Sequence, residues 1–196
     1  MSITLNGITK RFGGKTVLDD LTATLPGGVI CLSGASGCGK TTLAMIIAGL
    51  LKPDSGNIGG ISGNVTVMFQ EPRLFPAFSA LENVACAAKG SSGEAEAEKL
   101  LLSLGLTADD IKKKPCELSG GMNQRVSLAR AVLFHENSGG NTVVLDEPFK
   151  GLDPASKNIA AELVKSRLTP ENLLVITHDG SDADLLHGTR INFPDL

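Results

Sequence analysis

The stretch Gly34–Thr41 constrains the fold of this chain more than any other feature of its sequence. Its residues, GASGCGKT, fit the pattern G-x-x-x-x-G-K-[ST] of a phosphate-binding loop. The apolar run 29–33 before it predicts a buried strand, and an apolar repeat typical of a helix follows it from Thr42 to Leu51. A strand, a glycine-rich loop and a helix N-terminus together form an anion site, because backbone N–H groups and the helix dipole favour negative charge there. The alternative, a glycine-rich turn with a chance lysine, does not explain the flanking strand and helix.

The whole loop and the threonine after it are predicted to contact nucleotide phosphates. The glycines allow backbone conformations that point successive N–H groups inward. Lys40 is expected to reach the β- and γ-phosphates, and the Thr41 hydroxyl is expected to ligate Mg²⁺. Cys38 is also expected to react with a maleimide, unless it is an unreactive spacer. The predicted contacts are Gly34, Ala35, Ser36, Gly37, Cys38, Gly39, Lys40, Thr41 and Thr42.

Length and composition limit the remaining possibilities. A chain of 196 residues suits one domain, with room for a subdomain. The net charge of −3 gives no reason to expect nucleic acid as a partner. No apolar run approaches the ~20 residues that span a bilayer, and the N-terminus does not have the pattern of a signal peptide. We therefore expect a cytoplasmic chain with reduced cysteines, which reaches a membrane only through a partner.

Strand and helix patterns alternate along most of the chain, which predicts a mostly parallel sheet. Residues 2–11 and 16–25 predict two strands of a small antiparallel sheet, and the glycine-rich residues 57–64 predict a turn or hairpin. The apolar runs that predict strands of the parallel sheet are 29–33, 65–69, 142–146 and 172–177, with a possible last edge strand at 189–193.

Residues 71–116 show helix patterns and no strand pattern, so we predict a helical subdomain there, with helices over 81–88 and 94–104 and a short one over 107–113. The predicted fold class is α/β: a P-loop NTPase core with a mostly parallel sheet, a small N-terminal antiparallel β part and an inserted helical subdomain. We expect a single domain, divided into the β part (1–28), the core (29–70 and 117–196) and the helical subdomain (71–116).

Two acidic residues follow the apolar run 142–145. Asp146 ends a predicted buried strand, and a carboxylate in that place beside a phosphate-binding loop is the usual second partner of Mg²⁺. Glu147 follows at once and could polarise an attacking water. The alternative is a pair of acidic residues at a strand end without a chemical role.

Ser119, Gly120 and Gly121 stand at the N-terminus of another predicted helix. Backbone N–H groups at such a position can bind an anion, so these residues predict a second phosphate site. Two phosphate sites on a chain of this length suggest that two copies share nucleotides. Taken alone, Ser119 could be a plain N-cap.

These motifs resemble, in order and over nearly the whole chain, the ATP-binding subunit of ABC transporters. Glu147 is in the place of the catalytic glutamate and His178 in that of the switch histidine. Phe12 matches the aromatic A-loop position, where the family more often has tyrosine and where the ring stacks on the base. The alternative is that Phe12 is a core residue of the small sheet. The other matches are Walker A (34–42), the Q-loop glutamine (Gln70), the signature (118–125), Walker B (142–146) and the D-loop (151–153).

The resemblance implies a mechanism. Two copies close head to tail, and each ATP lies between Lys40 and Thr41 of one copy and Ser119–Gly121 of the other. Mg²⁺ is held by Thr41, with Gln70 and Asp146 nearby. Glu147 orients or deprotonates water, and His178 holds the γ-phosphate, so the implied catalytic residues are Glu147, His178 and Lys40.

Within the family, the chain resembles bacterial importer ATPases, and the nearest group is the nitrate/sulfonate/taurine type. The segments that carry this resemblance are 70–76, 81–84 and 121–125. The implied function is ATP hydrolysis coupled to import of a small solute. The implied partners are ATP, a second ATPase subunit, integral-membrane permeases and a solute-binding protein, at the inner face of the membrane. The alternatives are a soluble ABC-type switch without a permease and a non-hydrolysing structural subunit, which the presence of all the catalytic motifs disfavours.

A short apolar segment follows the Q-loop glutamine. It contains Leu74, Phe75, Phe78 and Leu81, with two prolines nearby. The resemblance implies that this segment borders the groove that receives a permease helix. The alternative is that all four side chains belong to the core of the helical subdomain.

Overall fold

The computed structural model describes residues 2–90 and 93–193. Met1 and residues 194–196, at the ends of the predicted domain, and Ser91 and Ser92, within the predicted helical subdomain, lie outside the described residues. The chain forms two compact units. We call them the P-loop unit, which comprises the residues up to 67, 140–147 and those from 170 onward, and the helical unit, which comprises 68–139 and 148–169.

The P-loop unit begins with an antiparallel sheet in the order β2-β1-β4. Its strands are β1 (Ile3–Phe12), β2 (Lys15–Leu25) and β4 (Ser55–Gly59). The first two confirm the sequence prediction. The turn or hairpin expected at 57–64 is wrong for residues 57–59, where β4 pairs with β1, whereas residues 60–64 connect β4 to β5 without regular structure. A Cβ at Gly56 would lie 2.4 Å from the carbonyl oxygen of Gly7, and its φ is +88°, so both the close strand pairing and the backbone conformation require glycine there.

The second sheet has five strands in the order β5-β6-β7-β3-β8. Strands β3, β6 and β7 run parallel, and the register pairs Ile176 at the end of β7 with Leu32 of β3 and Asp146 of β6. The segments that follow these three strands therefore start at the same edge of the sheet, where ligands bind in open α/β folds. The strands are β3 (Gly28–Ser33), β5 (Val65–Met68), β6 (Thr142–Asp146), β7 (Asn172–Ile176) and β8 (Thr189–Asn192).

Helix α1 (Lys40–Ile47) follows the phosphate-binding loop and buries Leu43, Ile46 and Ile47 in the same core as β3. It begins two residues before the predicted start and ends four residues before the predicted end at Leu51. Gly49 has a φ of +70°, a left-handed conformation that ends helices. The prediction failed because the apolar repeat continues past this glycine, although Leu50 is mostly exposed.

The helical unit contains helices and 3₁₀ turns, and no strand lies within its described residues from 71 to 116, as predicted. The helix expected over 107–113 is only a 3₁₀ turn over Asp110–Lys112. The helices of the unit are α2 (Ala80–Ala85), α3 (Gly93–Ser103), α4 (Gly120–Ser138) and α5 (Pro154–Arg167). Within residues 2–90 and 93–193, none of the helices is both long enough and apolar enough to span a membrane.

The N-termini of α4 and α5 are capped as the sequence predicts. Ser119 accepts a hydrogen bond from the N–H of Met122, and Asp153 precedes Pro154 and accepts from Ala155 and Ser156. The apolar residues of this helix predict that Ile159, Leu163 and Val164 are buried in α5, and this prediction is partly wrong. Ile159 is exposed, and the small residues Ala160 and Ala161 are buried beside Val164 instead. Hydrophobicity alone favours burial of the isoleucine, but the face of α5 that packs against its neighbours carries the two alanines.

Candidate functional site

The phosphate-binding loop connects β3 to α1 and packs closely against its surroundings. A Cβ at Gly34 would lie 2.3 Å from the carbonyl oxygen of Phe193, and a Cβ at Gly39 would lie 2.9 Å from a methyl carbon of Leu18. Gly39 also has a φ of +111°, which L side chains rarely adopt. Glycine is therefore required at both ends of the loop, both for the backbone turn and for the space.

The Lys40 ammonium is directed into the loop. The residue is only 5% exposed, and its Nζ donates to the carbonyl oxygens of Gly34 and Ala35 at 2.8 Å each. A longer contact of 3.5 Å joins Nζ to the Sγ of Cys38. The charge is thus held inside the curve of the loop, beside the first N–H groups of α1, where an anion would meet both.

Thr41 and Asp146 meet at the carboxyl edge of the parallel sheet. The Thr41 hydroxyl donates to Oδ2 of Asp146 at 3.0 Å, and the aspartate is the last residue of β6. These are hard oxygen donors, the type that Mg²⁺ prefers, and Mg²⁺ sites commonly use one or two protein ligands together with substrate phosphates. Among the described residues, no cluster of three or more His, Cys, Asp or Glu could hold a metal without such help.

Glu147 and His178 face each other across the ends of β6 and β7. Nε2 of His178 lies 3.4 Å from Oε1 of Glu147, and the glutamate is 9% exposed while the histidine side chain is 51% exposed. The N–H of Glu147 donates to the carbonyl oxygen of Ile176 at 2.8 Å. Its φ of +52° is a strained conformation for a residue other than glycine, and such strain often occurs at functional sites.

Phe12 ends β1 in the same unit. Its ring is 49% exposed, and the Lys10 ammonium lies 5.5 Å from the ring centre. The adjoining strand β2 packs its Leu18 against the phosphate-binding loop. Aromatic rings that are half exposed in this way are suited to stacking on a base.

The other predicted site residues belong to the helical unit. Gln70 is exposed two residues after β5, and Ser119, Gly120 and Gly121 form the capped start of α4. A Cβ at Gly121 would lie 3.2 Å from the carbonyl oxygen of Gly151, so the signature and D-loop segments are in contact.

Sequence reasoning missed two residues beside His178. Thr177 and Asp182 are both buried, and the threonine hydroxyl donates to Oδ2 of the aspartate. An aspartate in a short segment after a strand predicts an exposed residue, so the sequence contained no signal for this pair.

The model of the ABC transporter family matches residues 18–150 of the chain. The aliphatic sulfonates import ATP-binding protein SsuB of Rhodopseudomonas palustris is 39% identical over 194 residues, which cover 93% of this chain and 67% of that protein. The protein of the same name from Corynebacterium glutamicum is 40% identical over 188 residues, covering 92% and 75%. SsuB 1 of Rhodococcus jostii is 40% identical over 195 residues, covering 95% and 76%.

Two solved structures share the fold. The dimeric structure of MJ0796, described as a bacterial ABC transporter cassette, superposes with a TM-score of 0.80 at 26% identity and covers 93% of this chain and 90% of its own. A dimeric post-hydrolysis state of the same cassette, bound to ADP and Pi, gives a TM-score of 0.78 at 25% identity with the same coverage. The predicted fold class, family and ATPase activity are confirmed. The chain belongs to the ABC transporter family, and it is an ATP-binding, ATP-hydrolysing subunit of the importer type.

Proposed function

We propose that the chain hydrolyses MgATP with the residues that meet at the carboxyl edge of its parallel sheet. Lys40 binds the β- and γ-phosphates, Glu147 orients or deprotonates the attacking water, and His178 holds the γ-phosphate. The observation that carries this proposal is the approach of the Glu147 carboxylate to the imidazole of His178, at 3.4 Å, where β6 and β7 end. Phosphoryl transfer depends mainly on positioning and charge neutralisation, which fixed groups can supply.

The phosphate-binding loop and the hairpin of β1 and β2 supply the other proposed contacts with the nucleotide. The backbone and side chains of residues 34–42 cradle the phosphates, and Phe12 stacks on the base. Thr41 and Asp146 hold Mg²⁺, and Gln70 is proposed as a further oxygen ligand only on its match to the Q-loop glutamine. When bound, Mg²⁺ neutralises charge on the β- and γ-phosphate oxygens.

The second phosphate site is proposed to act in trans. Ser119, Gly120 and Gly121 bind the γ-phosphate of the ATP held by a second ATPase subunit, so that two nucleotides lie between two subunits. The support is the capped helix start at Ser119 and the dimeric state of both solved cassettes. After hydrolysis and loss of phosphate these contacts disappear, and the pair reopens. We also propose that residues 1–196 form one ABC ATPase domain. Its parts are the β part (1–28), the core (29–70 and 117–196) and the helical subdomain (71–116).

The transport role rests on the relatives. Because proteins named as aliphatic sulfonates import ATP-binding proteins match most of the chain, we propose that it drives import of a small organic anion of the sulfonate class. Its partners are then membrane permeases and a solute-binding protein, and it acts at the cytoplasmic face of the membrane. Purification from membranes tests this, because an importer subunit should bring its permease. Recovery of the chain alone, fully active, would favour a soluble switch.

The metal site can be tested without relying on turnover alone. Replacing Asp146 by Asn should weaken binding of Mn²⁺, used as a paramagnetic substitute for Mg²⁺, on the order of 10-fold or more in the presence of ATP. Binding of a fluorescent ATP analogue without metal should stay unchanged, because Lys40 and the loop are intact. The control is the same change at Asp109, which is exposed in the helical unit. An unchanged affinity for Mn²⁺ would remove Asp146 from the proposed site.

A further inference from the structure

The segment that carries His178 is held by a buried polar pair that the phosphate chemistry does not use. Thr177 is 1% exposed and Asp182 is 3% exposed. The Thr177 hydroxyl donates to Oδ2 of Asp182, and it accepts the N–H of Asp179 at 3.0 Å. One hydroxyl therefore ties together the residues on either side of His178 and the carboxylate of the following helix.

The pair is itself fixed within a short turn. Asp182 lies in the first turn of α6 (Ser181–Leu185), and its N–H donates to the carbonyl oxygen of Asp179 at 3.1 Å. The N–H and hydroxyl of Ser181 both donate to Oδ1 of Asp179, at 2.9 and 2.7 Å. The turn between β7 and α6 is thus closed by side chains, so the backbone at His178 has few alternative conformations.

The same segment is tied to both other parts of the site. The N–H of Thr177 donates to the carbonyl oxygen of Leu32 on the strand that leads into the phosphate-binding loop, at 3.2 Å. The N–H of Glu147 donates to Ile176, the residue just before Thr177. The backbone on the N-terminal side of His178 is therefore set relative to the loop and to Glu147, and the Thr177–Asp182 pair sets its C-terminal side.

We propose that Asp182, through the hydroxyl of Thr177, is a positioning residue that holds His178 in place for the γ-phosphate. This inference rests on the proposed function, since it assigns a support to the histidine named there. A buried carboxylate that only balanced a neighbouring charge would not need a hydrogen bond to Thr177, the residue next to His178. A displacement of about 1 Å in a catalytic group can lower a rate by about 10²-fold, so a support of this kind has a measurable effect.

The test is a double-mutant cycle between Thr177 and His178 in the chain of 196 residues. Thr177→Val keeps the shape and removes the hydroxyl, so we expect kcat to fall between about 10- and 100-fold with the KM for MgATP within about 2-fold. Thr177→Ser keeps the hydroxyl and should restore most of the rate. In a His178→Ala background, Thr177→Val should cause no further loss, because its effect acts through the imidazole.

A matched control separates positioning from general loss of stability. Thr66 is buried in the same unit, and its hydroxyl has no hydrogen-bond partner among the residues that the structure describes, so Thr66→Val should lower neither stability nor turnover. If Thr177→Val fails to fold, Asp182→Asn takes its place in the cycle, because the amide keeps the volume of the carboxylate but removes the charge that strengthens its hydrogen bond with Thr177. Thermal unfolding of each variant accompanies the kinetics.

The outcomes distinguish this inference from the proposed function. If Thr177→Val lowers kcat by the same factor with and without His178, the pair is only structural and the inference is overturned. If His178→Ala retains full activity, the role proposed for the histidine is itself wrong, and the support for it is overturned as well. A fall in kcat that disappears in the His178→Ala background establishes the positioning role.

Discussion

At the scale of single residues, Glu147 has both the acidic group and the constrained backbone that the proposed chemistry requires. Its carboxylate lies 3.4 Å from His178, and its φ is +52°. Replacement by Gln keeps the size and removes the base, so turnover should fall by about 10²–10⁴-fold while ATP still binds. Single-turnover hydrolysis and equilibrium binding of ATP measure the two effects separately. A hydrolysis rate close to that of the unmodified chain would assign the base to another group.

Cys38 gives a second residue-scale prediction, because its Sγ lies 3.5 Å from the Lys40 ammonium inside the loop. A maleimide should label it and block ATPase activity, and MgATP should slow both effects. The experiment needs a chain in which the exposed Cys86 and Cys116 are replaced by serine. Burial raises the pKa of Cys31 to about 11, so that thiol does not react at neutral pH. Equal labelling rates with and without MgATP would contradict the prediction.

At the scale of elements, the apolar runs predicted β6 and β7 most clearly, because these strands are buried at every position and so leave a continuous apolar signal. The phosphate-binding loop was predictable for a similar reason, since its motif lies within a few consecutive residues. The strand β4 could not be predicted, because glycines in a short segment typically indicate a turn. Only the pairing of this segment with β1 shows that it is a strand. The link from Thr177 to Asp182 likewise depends on how a turn closes in three dimensions.

The segment after Gln70 is the element for which the sequence left two interpretations. Phe75 and Phe78 are 51% and 40% exposed, with ring centres 5.3 Å apart, so they are not core residues. Asn83 is buried and holds the segment, accepting the N–H of Phe75 at 2.8 Å and donating to the carbonyl oxygens of Phe75 and Phe78 at 3.1 and 3.2 Å. An apolar pair presented on a fixed loop suits a partner surface.

This surface leads to a prediction about coupling. Phe75→Asp or Phe78→Asp should abolish transport in reconstituted vesicles with the permease, while the basal ATPase activity of the isolated chain stays intact. Phe134→Asp is the matched control, because Phe134 is exposed to a similar degree, at 41%, on α4 of the same unit. Loss of transport with all three variants would indicate general damage, and unaffected transport with the first two would remove this segment from the docking surface.

At the scale of the whole molecule, the proposed shared site requires two subunits. The chain has an anion-binding loop in the P-loop unit and a capped helix start at Ser119 in the helical unit. Both solved cassettes that share the fold are dimeric, and one is bound to ADP and Pi. A variant that binds ATP and cannot hydrolyse it should therefore accumulate as a closed pair. Glu147→Gln in the presence of MgATP is that variant, and its dimer can be measured by sizing chromatography.

Gly121 then tests whether the helix start at Ser119 binds the partner's phosphate. In the Glu147→Gln background, Gly121→Asp places a negative charge against the γ-phosphate, so the double variant should bind ATP through Lys40 and remain monomeric. Gly121→Ala is the control, because its Cβ meets the same carbonyl oxygen of Gly151, 3.2 Å away, without a charge. The alanine variant should still dimerise with MgATP. If the aspartate variant dimerises as well as Glu147→Gln alone, residues 119–121 do not bind the partner's nucleotide. If Glu147→Gln itself stays monomeric with MgATP, the pair does not close without the permease.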